Sequence, residues 1–307
     1  MATPRFWQTS LRTDRAAHRQ LPADSDLARA SKVLARAQQD AVWDRTRAQL
    51  RLRSLLREYY PAALVVAARL EDGLTAPLVR ILLAAAPTPA AAAALSLPEL
   101  EDLVRTSGRR RYIAATAVWL HDLLNAEQLH QPAVVEAALG QQTLALLRLL
   151  DAACANTDQL ADAATKAFQE HPDAAILLSF PGIDPVLGAR LLGDMGDDHT
   201  RFTDARALKA YAGAAPVTRA SGRSRQVFTR RVKNQRLAAV GYQWAFSSLT
   251  GARAHYDRRR AAGDTHVRAQ RNLYNRFLGM LHHCLTTRQR YREARAFPAT
   301  PTEAQAA

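Results

Sequence analysis

Residues 175–197 read AILLSFPGIDPVLGARLLGDMGD, and residues 217–231 read VTRASGRSRQVFTRR. The first stretch is an apolar helix end, a Pro-Gly turn and a second apolar helix, the pattern of a helix-hairpin-helix. In the segment 180–185, Gly182 can take a positive φ, and Pro181 and Pro185 limit helix on either side. Ile183 is then placed to tuck between the helices, and Gly188 and Ala189 are small enough for close packing on the second one. The N–H groups that open that helix predict an anion site, most naturally for a DNA or RNA phosphate. Gly182, Ile183 and Gly188 are therefore candidate phosphate contacts.

The second stretch sets Ser221 among Arg219, Arg223 and Arg225. A hydroxyl surrounded by guanidinium groups suits a serine that attacks a phosphodiester. The same residue type is also common in turns, where it bonds its own backbone. Gly222, Arg230, Arg231 and Lys233 complete the candidate nucleic-acid contacts, and Val227 with Phe228 suggests a short strand after the turn-like region from 213 to 222.

Charge supports a polyanionic partner. The chain of 307 residues has a formal net charge of +14, but residues 201–300 alone hold 21 Lys/Arg against 4 Asp/Glu. Residues 58–200 are acidic, with 18 Asp/Glu against 9 Lys/Arg. Arginine-rich codon usage would spread the charge evenly, so this concentration points to nucleic acid. The two cysteines, Cys154 and Cys284, lack disulfide or zinc spacing, and His282-His283-Cys284 points in different directions on a helix, so no metal site is read. No signal peptide or comfortable membrane span is seen, which predicts a cytoplasmic chain without a membrane partner.

The rest reads as mainly α. Residues 1–24 form an irregular basic arm, and Asp24 or Ser25 caps a long helix that ends near Tyr59-Tyr60-Pro61. Leu27, Ala30, Leu34, Ala37, Ala41, Ala48, Leu52 and Leu55 give it a heptad-like seam broken at Asp44, with Arg45, Arg47, Arg51, Arg53 and Arg57 on the other face. A helical insertion over 62–132 follows, including a helix start at Ser96-Leu97-Pro98-Glu99 and the basic run Arg109-Arg110-Arg111. A second long helix spans about 133–170, with a seam at Val135, Leu139, Gln142, Leu146, Leu149, Ala153, Asn156, Leu160, Ala163 and Ala167. Residues 25–170 are thus expected to form a coiled-coil arm, and 171–297 a compact domain. That domain closes with helices at 237–249, facing inward through Trp244, Phe246 and Leu249, and at 266–287. Residues 298–307 are expected to be a disordered tail.

These residues carry a resemblance to the one-ten (or one-sixteen) family of insertion-sequence transposases, over about residues 25–295. It rests on five features. One is Arg45-Thr46-Arg47 through Leu56-Arg57-Glu58-Tyr59-Tyr60-Pro61-Ala62. The next are His171-Pro172-Asp173-Ala174 with residues 176–182, and Leu187-Gly188-Ala189. The last two are Tyr211-Ala212-Gly213 with Pro216-Val217-Thr218-Arg219-Ala220-Ser221-Gly222, and Ala254-His255-Tyr256-Asp257 with Arg259-Arg260-Ala261-Ala262-Gly263. The resemblance implies DNA recombination guided by a structured bridge RNA. It also implies a composite site in which four acidic residues of a RuvC-like (DEDD) domain act with a serine, matched here by Ser221. That serine attacks the scissile phosphate and forms a covalent intermediate. Since Asp14, Asp24 and Asp26 do not suit the acidic ligands, the expectation is a truncated transposase, inactive alone. It would bind no cofactor itself, with Mg²⁺ needed only alongside the acidic domain. Expected partners are DNA, a guide RNA and a second or full-length copy. The rival expectation is a helix-hairpin-helix binding module, or an RNA-binding regulator, without chemistry.

Overall fold

The computed structural model describes residues 22–128, 130–248, 252–293 and 297. The basic arm as far as residue 21, Leu249 and the tail from 298 lie outside the described residues. The described chain is mostly helical, with one two-stranded sheet, and divides into two compact units. One unit comprises residues 1–36 and 163–307, the other residues 37–162.

Local signals set the long helices. Helix α1 spans Asp26–Tyr59. The Ser25 hydroxyl accepts from the Ala28 N–H at 3.2 Å, and Pro61 follows the last turn. After the short helices α2 (Pro61–Ala68), α3 (Pro77–Ala85), α4 (Pro89–Ala93), α5 (Leu97–Thr106) and α6 (Ile113–Leu124), the second long helix α7 spans Ala133–Gln169. Three of the short helices start at a proline, where the missing N–H costs nothing. At α5 the predicted start is a capping box, with the Ser96 N–H and hydroxyl both donating to Glu99 Oε2 at 2.8 and 2.7 Å.

Both long helices keep the expected four-three period; on α7 it runs one residue later than the expected column, and on α1 it does so only in the first half. On α7 the buried or half-buried column is Glu136, Gly140, Thr143, Leu147, Leu150, Cys154, Thr157, Ala161, Ala164 and Phe168. Gln142, Leu149 and Asn156, expected in the seam, are exposed. On α1 the buried residues include Ala28, Ser31, Ala35 and Gln38, one later than expected, and then the expected Ala41, Leu52 and Leu55 together with Leu56 and Tyr59. Asp44 is exposed, and Arg45, expected on the basic face, is half-buried. The phase was ambiguous because apolar residues fill adjacent columns, as at Leu146-Leu147 and Leu149-Leu150. By length and composition α7 could cross a membrane, yet the polar residues in its column, Glu136, Thr143 and Thr157, all find protein partners.

In the unit of residues 37–162, Leu52, Leu56 and Tyr59 share one core with Val79, Leu82, Leu83, Leu100, Leu120, Leu147 and Leu150. The Tyr59 hydroxyl lies 2.7 Å from Thr143 Oγ1, and the Glu136 carboxylate accepts the Ala90 N–H at 3.0 Å.

In the other unit, helices α8 (Ala174–Leu177), α9 (Pro185–Met195), α10 (Ala205–Tyr211), α11 (Gln235–Ser247), α12 (Arg253–Ala261) and α13 (His266–Thr287) surround an aromatic core. Trp244 stacks on Phe277 at 4.9 Å, and Phe180 meets Trp244 edge-on at 5.5 Å. Phe246, expected to face inward beside Trp244, is 59% exposed, because it lies about 200° around the helix from that residue. Helix α12 occupies residues that had been expected only to connect the last two helices.

A buried ionic cluster joins several elements of this unit. His171 Nε2 is 3.2 Å from Asp197 Oδ2, while His171 Nδ1 accepts the Asp173 N–H at 3.1 Å. The Asp197 carboxylate also accepts the Ser25 N–H at 3.0 Å, and Asp173 pairs with His199 and Arg288. Burial would raise the carboxyls of Asp173 and Asp197. For Asp173 the hydrogen bond from His199 and the charges of His199, Arg288 and His171 outweigh it, and for Asp197 the Ser25 and His171 contacts do. Both are held below the ordinary aspartate range.

Two outcomes test this description. Leu150→Ala should cost about 2–5 kcal/mol in urea unfolding, whereas Leu149→Ala, at a residue 57% exposed, should stay within about 0.5 kcal/mol. The carboxylates bind fewer protons folded than unfolded, so their contribution is fully present above the unfolded value of about 4. It is lost as pH falls through their lower folded values. Urea midpoints between pH 7 and pH 3 should fall over that acid window, and Asp173→Asn should flatten the fall.

Candidate nucleic-acid interface

Residues 217–228 form a β-hairpin whose chemistry is set by its register. Strand β1 (Val217–Ser221) pairs antiparallel with β2 (Ser224–Phe228), and Ser221 lies directly opposite Ser224. Gly222 and Arg223 make the two-residue turn, with Gly222 at φ +55°, the conformation a Gly-X hairpin turn needs. The strand β1 replaces part of what the sequence suggested was turn. Its pattern was hidden because the hairpin buries neither face: every residue from 218 to 229 is exposed.

Residues opposite one another share a face, and the face alternates along each strand. Ser221 and Ser224, Arg219 and Gln226, and Val217 and Phe228 therefore lie on one face. Arg225 lies on the other, beside Ala220, so of the three arginines expected around Ser221 the register places Arg219 on its side and Arg223 in the turn. The Arg219 guanidinium sits 5.5 Å from the centre of the Phe228 ring. At the root of this face is a cleft of about 390 Å³ lined by Val217, Arg219, Phe228, Thr229, Arg230 and Arg231. Ser224 was not singled out from the sequence; only the pairing register brings it beside Ser221.

A ribbon with no buried face is marginal by itself. Its order comes from the root. The Asn234 N–H donates to the Tyr211 carbonyl at 2.9 Å, and Asn234 Nδ2 donates to the Tyr211 hydroxyl at 3.0 Å. Arg230 Nε donates to the Ala215 carbonyl at 3.4 Å, and the Lys233 side chain packs over Gly213, where a Cβ would come within 2.2 Å of it. Arg230 and Lys233 are thus partly committed to the root, while Arg223, Arg225 and Arg231 are exposed.

Gly182, Ile183 and Gly188 serve packing. The Pro181 carbonyl accepts from Trp244 Nε1 at 3.0 Å and from the Ser248 hydroxyl at 2.7 Å. A Cβ on Gly182, which has φ +74°, would lie 2.8 Å from the Ser248 backbone nitrogen, and one on Gly188 would lie 2.5 Å from the Phe168 ring. Ile183 is buried in the same core. At the start of α9 Pro185 has no N–H, and the Leu187 N–H is taken by Asp184 Oδ1 at 2.7 Å. A carboxylate at that helix end opposes an incoming phosphate. The cations of the hairpin are the better anion contacts.

Among the described residues no three His, Cys, Asp or Glu side chains converge as a metal site. Cys284 of the His282-His283-Cys284 run is buried, and burial pushes its thiol up, away from the thiolate form.

This hairpin lies within the part of the chain that matches a known family. Residues 174–261, from α8 to the end of α12, match the family model described as "Transposase IS116/IS110/IS902 family". The chain belongs to this family of insertion-element transposases. Its sequence is 57% identical over 290 residues to the mini-circle candidate transposase for IS117 of Streptomyces coelicolor, covering 94% of this chain and 70% of that one. It is 32% identical over 296 residues to an uncharacterised 42 kDa protein of insertion element IS900 from Mycobacterium paratuberculosis, covering 92% and 69%. A 43.6 kDa uncharacterised protein of IS110 from Streptomyces coelicolor is 30% identical over 271 residues, covering 86% and 64%.

Replacing Asn234 by alanine removes a helix cap and the side-chain bond to the Tyr211 hydroxyl together, while the backbone N–H keeps its bond to the Tyr211 carbonyl. Asn234→Ala should cost about 1–3 kcal/mol in thermal or urea unfolding. The amides of residues 217–228 should lose hydrogen-exchange protection before those of α13 do.

Proposed function

We propose that this chain binds DNA and that Ser221 attacks a DNA phosphodiester during transposition of an insertion element. The observation that carries this reading is the placement of Ser221 at the tip of an exposed ribbon, on the face whose root cleft is lined by Arg219, Arg230 and Arg231. A two-stranded ribbon fits the major groove of duplex DNA. The cleft gives the sugar-phosphate backbone a cationic track leading along that face toward the hydroxyl.

In the chemical step the Ser221 Oγ–P bond forms and the P–O bond to a deoxyribose breaks. The serine proton passes to a base, and the departing oxygen takes up a proton. The phosphoserine bond conserves the energy needed for religation. Arg219 and Arg223 offset the extra negative charge at phosphorus. Residues 217–228 contain no Asp, Glu or His, so base and metal ligands must come from elsewhere. In this proposal they are the carboxylates of a RuvC-like domain, and a structured guide RNA selects the DNA. The four-three columns of α1 and α7 would form a coiled-coil arm that brings a second copy to the site, and α8 and α9 a helix-hairpin-helix that supports the hairpin. The setting is the cytoplasm.

The test supplies duplex DNA bearing the element's ends, guide RNA, Mg²⁺ and the RuvC-like domain, and looks for a protein–DNA adduct on a denaturing gel. Ser221→Ala should lower adduct formation by at least about a thousandfold while duplex affinity changes less than about twofold. Ser224→Ala should keep the adduct. Recombination that continues unchanged in Ser221→Ala would reduce the chain to a binding module.

A further inference from the structure

A second cavity opens at the root of the hairpin, with a volume of about 230 Å³. Its lining includes Lys233 and Arg271 together with Tyr242, Gln270 and Tyr274. Gln270 is the unusual member. It is only 1% exposed, yet neither its amide nitrogen nor its amide oxygen has a hydrogen-bond partner. Leaving a buried amide unpaired costs about 1–3 kcal/mol, so such a residue is more readily explained by a ligand than by folding. Two other lining residues are bonded within the fold. The Tyr274 hydroxyl donates to the Leu237 carbonyl at 3.1 Å, and Arg271 donates to the Thr229 hydroxyl at 3.1 Å. The Tyr242 ring is 54% exposed, which leaves it able to stack on a planar group.

We propose that this cavity takes one unstacked nucleobase, with adenine the best match, read by the Gln270 amide. The inference rests on the nucleic-acid reading above. The space is below the range of about 300–1,000 Å³ usual for drug-sized ligands, and suits a single ring system. A glutamine amide sets a donor beside an acceptor, the complement of the adenine N7 acceptor and N6 donor. Lys233 and Arg271 supply cations for the flanking phosphates, and Tyr242 supplies a stacking surface. Thr229 directly follows β2, five residues beyond Ser224 opposite Ser221, so the cavity is about 17 Å along the strand from Ser221. That is about five nucleotide rises of about 3.4 Å, which sets the base several positions from the reacting phosphate.

The experiment compares two duplex oligonucleotides of the same sequence, one fully paired and one with a single bulged adenine. Affinities are measured by fluorescence anisotropy at one fixed salt concentration. The wild-type chain should bind the bulged duplex about tenfold tighter. Gln270→Met should lose that preference, keep its affinity for the paired duplex, and melt at the same temperature or higher. On the wild-type chain alone, a bulged 2-aminopurine should be quenched as it stacks in the cavity.

Equal wild-type affinity for both duplexes, or a preference that survives Gln270→Met, overturns the base site and leaves DNA binding standing. So does an unquenched 2-aminopurine. A lower melting temperature for Gln270→Met means the amide is bonded within the fold, through ordered water, and also overturns the inference. Failure to bind either duplex overturns both readings.

Discussion

Asn234 holds together what the hairpin by itself cannot. Its backbone and side-chain amides bond Tyr211 on the near side of the ribbon, while its side-chain oxygen accepts the Leu237 N–H at 3.0 Å and caps α11 on the far side. The two ends of a solvated β-ribbon are thereby fastened to a helix whose other end is fastened in turn. There Trp244 and Ser248 both donate to the Pro181 carbonyl, and the Phe180–Trp244–Phe277 cluster closes over the turn. The ribbon can stay exposed on both faces because its position is set at the root.

That arrangement separates the glycines by their work. Gly182 and Gly188 are fixed by contact, with backbone or an aromatic ring where a side chain would be. Gly222 has nothing within 4 Å of a notional Cβ and is held to glycine only by its positive φ. The first two build the core. The third turns the ribbon and leaves open space beside Ser221. The same division applies to the cations: Arg230 and Lys233 are half-buried and help tie the root, whereas Arg223, Arg225 and Arg231 are exposed.

Much of the architecture is local and was legible. Helix ends at Ser25, Tyr59-Tyr60-Pro61, Ser96 and Pro132-Ala133 follow from caps and prolines, which act over three or four residues. The candidate serine was also legible as a hydroxyl in an arginine-rich segment, but its neighbours were not. Which arginine shares its face depends on the pairing register, a relation between two strands rather than a property of either. Ser224 and Gln270 escaped notice for the same reason: a second serine in a turn and a glutamine in a helix carry no signal until their surroundings are known.

The sequence by itself determined the mainly helical class, the lengths of the two long helices, the four-three period along them and the concentration of positive charge in residues 201–300. These depend on spacing along one chain. Tertiary structure alone decided the phase of the period, because Leu146 and Leu147, or Leu149 and Leu150, are equally apolar and only the packing partner selects one column. It also decided that Gly182, Ile183 and Gly188 are packed in the core, that β1 is a strand, and that Gln270, whose amide is unpaired, borders a cavity. Each of these is fixed by contacts between residues distant in sequence, and such contacts leave no local pattern to read.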